Sequence, residues 1–569
     1  MLILGIFAYQ HDASACLVED GQLLSFVEEE RLNREKHSSA FPELSIKYLL
    51  KKHNKKIEEV DYITISWRPK LEILNNFYNV LKNFPKSLNL IKAGATQNEI
   101  SLISRLRKQF YLKKEFKKFG FDLDPKTKII EVEHHLGHAA SVFLVSKFEE
   151  AAIITWDGRG ESTSVLLSKG IRNKIIKLKE IKIPNSIGIF YSAITKYVGF
   201  NLFDEGKTMG LSAYGTDKYL KDFEDIIYVE NNSFKINQKY FSYMTHGRNK
   251  FVSDNFIKKF GEPRKYNEKI TQHYMDIAYA AQKKIEEVGL HLVRYIKEIC
   301  PSDNLCITGG VALNCIMNQK IVESQLFKNI FVQPIASDAG TSIGGAYYLY
   351  NSILNNDRNY IFKDIYLGPS FNENEIEEIL KKMKCKYSKS DNIYIDTAKL
   401  LANGKIIGWF QDKMEGGPRA LGNRSILADP RSENIKDKLN LIVKKRESYR
   451  PFAPAVLDEM KTKYFDMQSD DEVFFMEKVF PFKEEIKKQV PAVVHFDGTG
   501  RVQTVTQNSN NEFYKLINEF YKITNIPMLL NTSFNTNNVP IVNSPRDAID
   551  TFYRCGIDTL YLNNIKRSK

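Results

Sequence analysis

Three of the ten histidines of this chain occur within five residues, in the stretch EHHLGHAAS that begins at Glu133. If this stretch is helical, His134 and His138 are four residues apart and lie on the same face of the helix. Two imidazoles in that position can bind one metal ion, as in the HExxH motif of metalloproteases. His135 would point elsewhere and serve in packing or in orienting the ligands. The spacing alone leaves open a helix start whose histidine nitrogens are satisfied by the protein itself.

An aspartate later in the chain could complete such a metal site. The apolar run IFVQPI predicts a strand, and Asp338 follows it, close to Gly340. A carboxylate at the C-terminal end of a strand is well placed to bind a metal ion or a ribose. An Asx turn or a helix N-cap is the alternative interpretation.

Two segments repeat the same pattern of strand, acidic loop and strand. In the first, LILGIF is followed by a loop with His11 and Asp12, and then by two apolar runs joined at an Asp20-Gly21 turn, a strong hairpin signal. In the second, AAIITW is followed by the loop DGRGE, which begins at Asp157, and by another apolar run. The repeat predicts two related halves that face each other across a cleft. Sugar kinases, Hsp70 and actin hold a nucleotide and its metal with such loops, although a plain hairpin turn would look the same.

Glycine-rich segments elsewhere could bind an anion or a nucleotide. The strand LCIT is followed by Gly309, Gly310 and a helix start, a geometry in which backbone N–H groups point at an anion. Glu205 and Lys207 lie in the segment EGKTMG, which does not match the GxxxxGK[ST] sequence of a Walker A motif.

Basic residues are concentrated in the C-terminal part of the chain. The run GGPRALGN is followed by Lys444, Arg450 and Arg501, with aromatic residues interleaved. Arginines beside Gly-rich turns suit bidentate phosphate contacts, although single-stranded nucleic acid also exploits basic and aromatic residues together. Loops fixed by Pro and Gly favour a compact, rigid pocket.

Length and periodicity indicate more than one domain. A chain of 569 residues is too long for one core, and the poorly periodic stretch 351–368 predicts a boundary there, giving domains 1–355 and 356–569. Apolar residues at three- and four-residue steps predict a long amphipathic helix over 271–300. Residues 215–270 are expected to form an irregular surface insertion.

Composition limits the classes of partner. The net charge is +13, but acids and bases are mostly interspersed, which favours anionic small molecules over nucleic acid. No run of 18 apolar residues and no basic leader precede the first strand, so neither a transmembrane helix nor a signal peptide is expected. Six cysteines without CxxC spacing indicate a reduced, cytoplasmic protein.

Taken in order, the motifs resemble those of a known family. HDASA, EEERLNREKH, HHLGHAAS, DGRGE, EGKTMGLSAYG, GGVALNC, SDAGTSIGGA, GGPRALGNRSILADPR, VKKRESYRPFAPAV, DGTGRVQTV and LLNTSFN are similar to segments of the O-carbamoyltransferases. Members of that family carbamoylate nodulation factors, aminoglycosides and cephalosporin precursors. The resemblance runs from residue 1 to about residue 555.

The resemblance implies an α/β and α+β protein of two domains. A duplicated N-terminal domain like those of sugar kinases, Hsp70 and actin would precede a YrdC-like C-terminal domain. The YrdC-like domain would make carbamoyl adenylate from carbamoyl phosphate and ATP. The N-terminal domain would then transfer the carbamoyl group to a hydroxyl of a sugar or natural-product acceptor.

The resemblance also implies roles for individual residues. His134, His138 and Asp338 would bind a divalent metal, with iron(II) expected. His11 would take the proton of the acceptor hydroxyl, and Asp12 and Lys36 are the other expected catalytic residues. The positions expected to bind the nucleotide and carbamoyl phosphate are Asp157, Gly158, Gly160, Glu205, Lys207, Gly309, Gly310, Asn314, Arg419, Lys444, Arg450, Arg501 and Asn531.

Some features depart from the family pattern or leave alternatives open. Phe is common before the run GPRALG, where this chain has Gly416 followed by Gly417, and Arg159 stands where a small or apolar residue is common. Modification of tRNA by a threonylcarbamoyl group and a non-catalytic nucleotide-binding regulator are the competing functions. The expected partners are a small-molecule or glycan acceptor and a second copy in a homodimer, without nucleic acid and without membrane insertion.

Overall fold

The chain folds into two compact units. The computed structural model describes residues 1–87 and 102–569. The first unit comprises Met1–Glu29 and His37–Phe362, and the second comprises Glu30–Lys36 and Lys363–Lys569. The short segment belongs to the second unit because Arg31 donates a hydrogen bond to the carbonyl of Gly417 (2.7 Å) and Arg34 donates to that of Ile541 (2.6 Å).

The first unit contains two five-stranded sheets, a small two-stranded sheet and most of the helices. Its strands are β1 (Leu2–Phe7), β2 (Ser14–Glu19), β3 (Gln22–Glu28), β4 (Tyr62–Ile65), β5 (Lys128–Glu131), β6 (Glu150–Trp156), β7 (Thr163–Ile171), β8 (Lys174–Lys182), β9 (Ile227–Glu230), β10 (Ser233–Ile236), β11 (Asn304–Thr308) and β12 (Asn329–Val332). The helices of the N-terminal part of the chain are α1 (Glu29–Asn33), α2 (Glu43–Lys52), α3 (Pro69–Lys82), α4 (Leu102–Phe110), α5 (Leu112–Lys118), α6 (His134–Phe143), α7 (Ile187–Tyr197), α8 (Glu205–Ser212), α9 (Leu220–Phe223), α10 (Tyr243–His246), α11 (Asp254–Phe260), α12 (Gln272–Ile299), α13 (Cys315–Glu323) and α14 (Thr341–Tyr347).

The two large sheets have the same topology, which confirms the predicted repeat. The first has the strand order β3-β2-β1-β4-β5 and the second β12-β11-β6-β7-β8. In each, the first strand in sequence (β1 or β6) pairs antiparallel with the next, which pairs antiparallel with the third. On its other side β1 pairs parallel with β4, which pairs parallel with β5. In the same way β6 pairs parallel with β11, which pairs parallel with β12. The loops after β1 and β6 therefore occupy equivalent positions in the two halves.

Local sequence explains the elements that lead to these loops. Asp20 and Gly21 both have positive φ (48° and 81°), which is the backbone of the predicted tight turn, and Glu19 pairs with Gln22 across it. Every residue of β1 is buried, as expected for the apolar run LILGIF at the centre of a sheet. The predicted amphipathic helix is α12, whose buried stripe includes Ile285, Val288 and Leu292.

The expectation of an irregular insertion at 215–270 is wrong. This stretch contains a two-stranded antiparallel sheet of β9 and β10 and the three short helices α9, α10 and α11. Its aromatic side chains form a packed cluster, in which Phe256 lies 4.7 Å from Phe260 and 4.9 Å from Tyr197 between ring centroids. Short elements with few residues each carry too little periodicity to be recognised in the sequence.

The second unit is built around one eight-stranded mixed sheet. Its order is β13-β22-β21-β14-β15-β20-β16-β19. The strands of this unit are β13 (Ser388–Lys389), β14 (Ile407–Phe410), β15 (Arg424–Ala428), β16 (Ala453–Leu457), β17 (Phe480–Pro481), β18 (Thr499–Gly500), β19 (Gln503–Val505), β20 (Met528–Ser533), β21 (Thr559–Leu562) and β22 (Ile565–Ser568). Its later helices are α15 (Glu373–Lys382), α16 (Ile393–Ala402), α17 (Asn434–Lys438), α18 (Lys461–Tyr464), α19 (Glu484–Lys487), α20 (Asn511–Thr524) and α21 (Pro545–Arg554).

The protein is thus a mixed α/β structure with a duplicated sheet in its first unit. The resemblance of the first unit to sugar kinases and of the second to YrdC stays a prediction. Across residues 1–87 and 102–569, no helix has the length and apolar character needed to cross a membrane.

Candidate metal and anion sites

The histidine pair lies in the first turns of α6, as its spacing predicted. The helix begins at His134, and all of its residues are buried. The Nε2 atoms of His134 and His138 are 3.1 Å apart and face each other. His135 points away, with its Nδ1 2.5 Å from the hydroxyl of Thr155 and its Nε2 2.9 Å from the carbonyl of Thr163.

Two carboxylates complete this group on the side where the imidazoles converge. Asp338 Oδ1 lies 3.4 Å from His134 Nε2 and 3.5 Å from His138 Nε2, and Asp157 Oδ2 lies 3.4 Å from His134 Nε2. One ligand atom from each of the four residues lies within 4.8 Å of every other. Asp157 was expected in the nucleotide site, so the structure brings one residue to the metal group that the sequence assigned elsewhere.

The geometry of this quartet fits one metal ion. Bonds of about 2.0–2.1 Å to nitrogen or oxygen place neighbouring ligands about 2.9–3.4 Å apart in octahedral or tetrahedral geometry, close to the distances between these atoms. Asp338 Oδ1 is buried and makes no hydrogen bond to any residue that the structure describes. The Nδ1 of His134 lies 3.3 Å from the carbonyl of Ser66, and a proton on Nδ1 leaves Nε2 as the lone-pair donor.

Close packing of two helices positions the quartet. Helix α14 follows the turn that carries Asp338 and packs against both α6 and β1. A Cβ atom on Gly344 would collide with the carbonyl oxygen of Gly137, so the two helices approach more closely than a larger residue would allow. The small-residue run TSIGGA therefore sets the distance between Asp338 and the histidine pair.

The pKa values of the quartet show strong electrostatic coupling. Burial raises the pKa of Asp338, but the charges of His11 and His134 outweigh it and hold the pKa well below the usual value. Burial lowers the pKa of His134, yet Asp338 and Asp157 raise it well above 6.5. Burial lowers the pKa of His138. Since perturbed pKa values cluster at functional sites, the quartet is the strongest candidate for chemistry in the first unit.

The loop after β1 adds a second group next to the quartet. His11 Nε2 lies 3.5 Å from Asp338 Oδ2, while its Nδ1 lies 3.3 Å from Asp12 Oδ2. The other oxygen of Asp12 lies 2.7 Å from His37 Nδ1. Burial lowers the pKa of His11, but Asp338 and Asp12 overcome this effect and raise the pKa to about 9.

Backbone strain accompanies this second group. Asp12, His37 and Phe203 all have positive φ (61°, 55° and 67°), a conformation that is unusual for His and Phe. The ring of Phe203 lies 4.5 Å from that of His37 and 4.8 Å from that of His11. Strained residues that contact one another at a candidate site favour a functional role for the arrangement.

The expected nucleotide loops are brought together only in part. Gly309 has φ 94°, a conformation that favours glycine, and the N–H of Gly310 donates to Asp157 Oδ1 (3.0 Å). Asn314 caps α13 through the N–H of Met317. The carbonyl of Gly158 accepts a hydrogen bond from Ser186, while the N–H of Gly160 closes the hairpin by donating to Thr163. Asp157 thus links the Gly309-Gly310 segment to the metal quartet.

Helix α8 places the two residues of the EGK segment in different environments. Glu205 accepts a hydrogen bond from the hydroxyl of Ser192 (2.5 Å). Lys207 is buried, and its Nζ lies 3.0 Å from Asp204 Oδ2 and 5.7 Å from the ring centre of Phe200. Lys207 therefore forms an ion pair with Asp204, the residue just before its own helix.

The second unit contains a cluster of cations. The ammonium group of Lys444 is buried and donates to the carbonyl of Ser533 (2.8 Å) and to the side chain of Asn535 (2.6 Å). Burial lowers the pKa of Lys444 well below 10.5, and the charges of Arg446 and Arg450 lower it further. Burial likewise lowers the pKa of Arg446, with Arg450 and Arg501 adding to the effect.

Other predicted residues of the second unit surround this cluster. Asn531 on β20 donates to the side chain of Gln503 (2.9 Å) and to the carbonyl of Ala420 (3.2 Å), next to the half-buried Arg419. Lys36, expected among the catalytic residues with His11, belongs to this unit, and its charge lowers the pKa of Lys444. An anion bound here would relieve the mutual repulsion of these cations.

Comparison with known proteins identifies the family. The profile described as Carbamoyltransferase N-terminus matches residues 2–347, and that described as Carbamoyltransferase C-terminus matches residues 398–569. The chain belongs to the carbamoyltransferase family. Membership implies that this carbamoyltransferase is an enzyme that transfers a carbamoyl group.

Two relatives of this carbamoyltransferase are nodulation proteins. Nodulation protein NolNO of Sinorhizobium fredii is 36% identical over 562 residues, which cover 98% of this chain and 78% of that protein. Nodulation protein NolO of Bradyrhizobium diazoefficiens is 36% identical over 435 residues, which cover 75% of this chain and 77% of that protein. Component A of the (R)-2-hydroxyglutaryl-CoA dehydratase of Acidaminococcus fermentans matches 62% of this chain and 100% of that chain with 14% identity. Its TM-score of 0.32 is too low to carry an argument about fold.

Two residues that the sequence did not assign, His37 and Arg446, join the candidate sites, and Asp157 moves from the expected nucleotide site to the metal quartet. Asp157 lies in the metal quartet, His37 contacts Asp12, and Arg446 lies among the cations of the second unit. The equivalence of the loops after β1 and β6 could have indicated Asp157, and the run KKR could have indicated Arg446. His37 ends a charged stretch, and nothing in its sequence context distinguishes it from a surface residue.

Proposed function

We propose that this carbamoyltransferase makes carbamoyl adenylate from carbamoyl phosphate and ATP and then transfers the carbamoyl group to an acceptor hydroxyl. The first step releases phosphate and pyrophosphate and consumes water. In the second, the hydroxyl oxygen bonds to the carbamoyl carbon, AMP leaves, and the hydroxyl proton passes to a base. The proposed acceptor is a sugar or natural product, and the family membership of the chain supports the transfer itself.

The observation that carries the first step is the cation cluster of the second unit. Burial and the charges of Arg446 and Arg450 lower the pKa of Lys444, and burial and the charges of Arg450 and Arg501 lower that of Arg446. The positive charges of this cluster are therefore close together. A dianionic phosphate group is the ligand that such a cluster favours, because charge-assisted contacts to phosphate oxygens are strong and directional. We therefore assign the binding of carbamoyl phosphate to this unit, with Arg419 and Asn531 at its edge.

The quartet of the first unit would hold a divalent metal. Two imidazole nitrogens and two carboxylate oxygens are a donor set that suits first-row divalent ions, iron(II) among them. Such an ion acts as a Lewis acid toward a carbonyl or phosphoryl oxygen. His134, His138, Asp157 and Asp338 would be its ligands, and Ser66 would orient His134 through Nδ1.

His11 is the proposed base for the acceptor hydroxyl. Its Nε2 faces the quartet, and Asp12, which is itself paired with His37, lies 3.3 Å from the Nδ1 of its ring. A base must be neutral, whereas the carboxylate of Asp338 raises the pKa of His11 to about 9. When Asp338 serves as a metal ligand, its charge is compensated and the main cause of the raised pKa is removed. His11 can then accept the proton near neutral pH.

The direct test is to incubate the protein with ATP and carbamoyl phosphate and to analyse the products. We expect pyrophosphate and a compound with the mass of carbamoyl-AMP, and neither in the absence of carbamoyl phosphate. If ATP stays intact, or if it yields ADP instead, the proposed first step is wrong. A screen of hydroxyl compounds for the mass increase of one carbamoyl group would then identify the acceptor.

A further inference from the structure

Helix α3 presents an apolar stripe to solvent. Leu74, Phe77, Tyr78, Leu81 and Phe84, which define this stripe, are each between 58% and 67% exposed. The first four are spaced at three- and four-residue steps, so they lie along one side of the helix. Exposed apolar residues that occur singly need no explanation, but a contiguous patch of large side chains marks an interaction site.

The segments that contain α3, α4 and α5 carry most of the net charge of the protein, and α4 contacts both of the other helices. Residues 68–87 and 102–118, which include α3, α4 and α5, contain eleven Lys and Arg but only two acidic residues. Their net charge is +9, out of +13 for the whole chain. The exposed basic residues here are Lys70, Lys82, Lys86, Arg107, Lys113, Lys114, Lys117 and Lys118.

Both acidic residues of this region are engaged inside the protein. Glu72 is buried, accepts a hydrogen bond from the indole N–H of Trp67 (2.8 Å) and pairs with Arg105. Glu115 accepts a hydrogen bond from the hydroxyl of Tyr9 (2.6 Å). The exposed charge on α3, α4 and α5 is therefore positive, while Asp122 and Asp124 lie beside Lys113 and Lys117 just beyond α5.

The inner side of α3 adjoins the metal quartet. Asn76 accepts a hydrogen bond from Arg159 of the DGRGE loop. Just before the helix, the backbone N–H of Arg68 donates to Glu161 (2.8 Å), and the ring of Trp67 lies 5.0 Å from that of His134. One side of this helix thus supports the candidate transfer site while the other faces solvent.

We infer that the apolar stripe of α3 and the basic residues around it form a binding surface for an anionic lipid bilayer. A helix with large apolar and aromatic side chains and flanking Lys and Arg lies at the lipid–water boundary, where the apolar groups enter the acyl region and the cations meet the phosphates. Double-stranded nucleic acid would use the cations but not the stripe, and a single strand would stack on the aromatic rings but leave Leu74 and Leu81 in water. A second copy of this chain would place two positive surfaces against each other, which costs free energy.

This surface lies on the bilayer and does not cross it. Because α3 adjoins the quartet, binding would bring the candidate transfer site to the membrane surface. Where the proposed carbamoyl transfer holds, the acceptor hydroxyl would belong to a molecule anchored in or adsorbed to the membrane. The binding itself depends only on α3 and its surroundings and needs no catalysis.

Vesicle sedimentation of the full-length protein tests this inference. We expect the protein to sediment with vesicles of phosphatidylcholine and phosphatidylglycerol in equal parts, much less with phosphatidylcholine alone, and less at high salt. In the variant Leu74→Ser/Phe77→Ser, binding to the anionic vesicles should fall at least about tenfold, since two large apolar anchors are lost. The matched control is Ile523→Ser, which changes a residue that is 46% exposed on α20 and should bind like the wild type.

Several results would overturn the inference. The inference is wrong if the wild type fails to bind anionic vesicles, or if the double variant binds them as well as the wild type does. Light scattering could also show a wild-type dimer that the double variant separates, in which case the stripe is a subunit interface. Unchanged thermal unfolding and pyrophosphate release in the double variant would show that it is folded. Absence of pyrophosphate release in the wild type would contradict the proposed reaction and leave the sedimentation result unaffected.

Discussion

The candidate sites of the two units are opposite in charge. In the first unit, two aspartates converge on two histidines. The opposite charges outweigh the effect of burial on the pKa values of His134 and Asp338. In the second, burial and neighbouring arginines lower the pKa values of Lys444 and Arg446. The first arrangement offers lone pairs to a cation, and the second offers N–H groups to an anion. We propose that a cation completes the first site and an anion the second, so the two should respond to different ligands and different substitutions.

The largest effect is expected for the variant His134→Ala/His138→Ala. Removing two of the four candidate ligands should abolish stoichiometric metal binding and lower carbamoyl transfer by well over about 100-fold, since loss of outer-shell partners alone costs about 10- to 100-fold. Metal content by elemental analysis and product formation by mass spectrometry measure both effects. The control His53→Ala, on the surface end of α2, should keep its metal. Full metal content in the double variant would remove the quartet from the account.

A second large effect is expected for Arg450→Ala in the second unit. Loss of one fixed cation that contacts a reacting phosphate should slow pyrophosphate release by about 100-fold, while the metal content stays unchanged. The matched control is Lys445→Asn, because Lys445 is exposed, lies next to the buried Lys444 and has a left-handed backbone (φ 50°) that Asn tolerates. Equal rates for Arg450→Ala and Lys445→Asn would show that position in the cluster does not matter.

An intermediate effect is expected for Asp157→Asn. This change keeps the shape of the side chain and an oxygen that can accept from the N–H of Gly310, but it removes the negative charge beside His134. Metal affinity should fall by about tenfold or more if Asp157 is a ligand. Unchanged metal affinity combined with a weaker affinity for ATP would return Asp157 to the nucleotide role that the sequence suggested.

The smallest effect concerns the acid stability of the second unit. Burial lowers the pKa of His495 from 6.5 to about 4, with Asp497 opposing and Arg501 adding to the shift. Between these two pH values the unfolded chain binds a proton that the folded chain does not, so stability falls as the pH falls from about 6.5 to about 4. The variant His495→Gln should lose stability less steeply in this window, measured by denaturant unfolding. An unchanged slope would mean that His495 titrates alike in both states.

Much of the first unit followed from local sequence patterns. Apolar runs, the Asp20-Gly21 turn and the repeated acidic loop predicted the paired hairpins that the two sheets contain. The i, i+4 spacing predicted the shared face of His134 and His138, because helical geometry alone fixes that relation. These features depend on residues close together in the chain.

Other features depend on contacts between distant segments. Asp157 reaches His134 because β6 ends beside the start of α6, which no short-range pattern reveals. The segment Glu30–Lys36 is rich in charged residues, yet Arg31 and Arg34 donate to carbonyl groups more than 380 residues later in the chain. The apolar stripe of α3 was also missed, since an amphipathic pattern indicates which side is apolar but not whether that side is covered.

The central claim is that activation and transfer occur at separate sites. The most direct measurement is the amount of carbamoyl-AMP that accumulates when His134→Ala/His138→Ala is incubated with ATP and carbamoyl phosphate without acceptor. We expect pyrophosphate and carbamoyl-AMP to form as in the wild type, while transfer to an acceptor is lost. A variant that forms no carbamoyl-AMP, although it is folded and the wild type forms it, would contradict the claim that the second unit activates the carbamoyl group independently of the metal quartet.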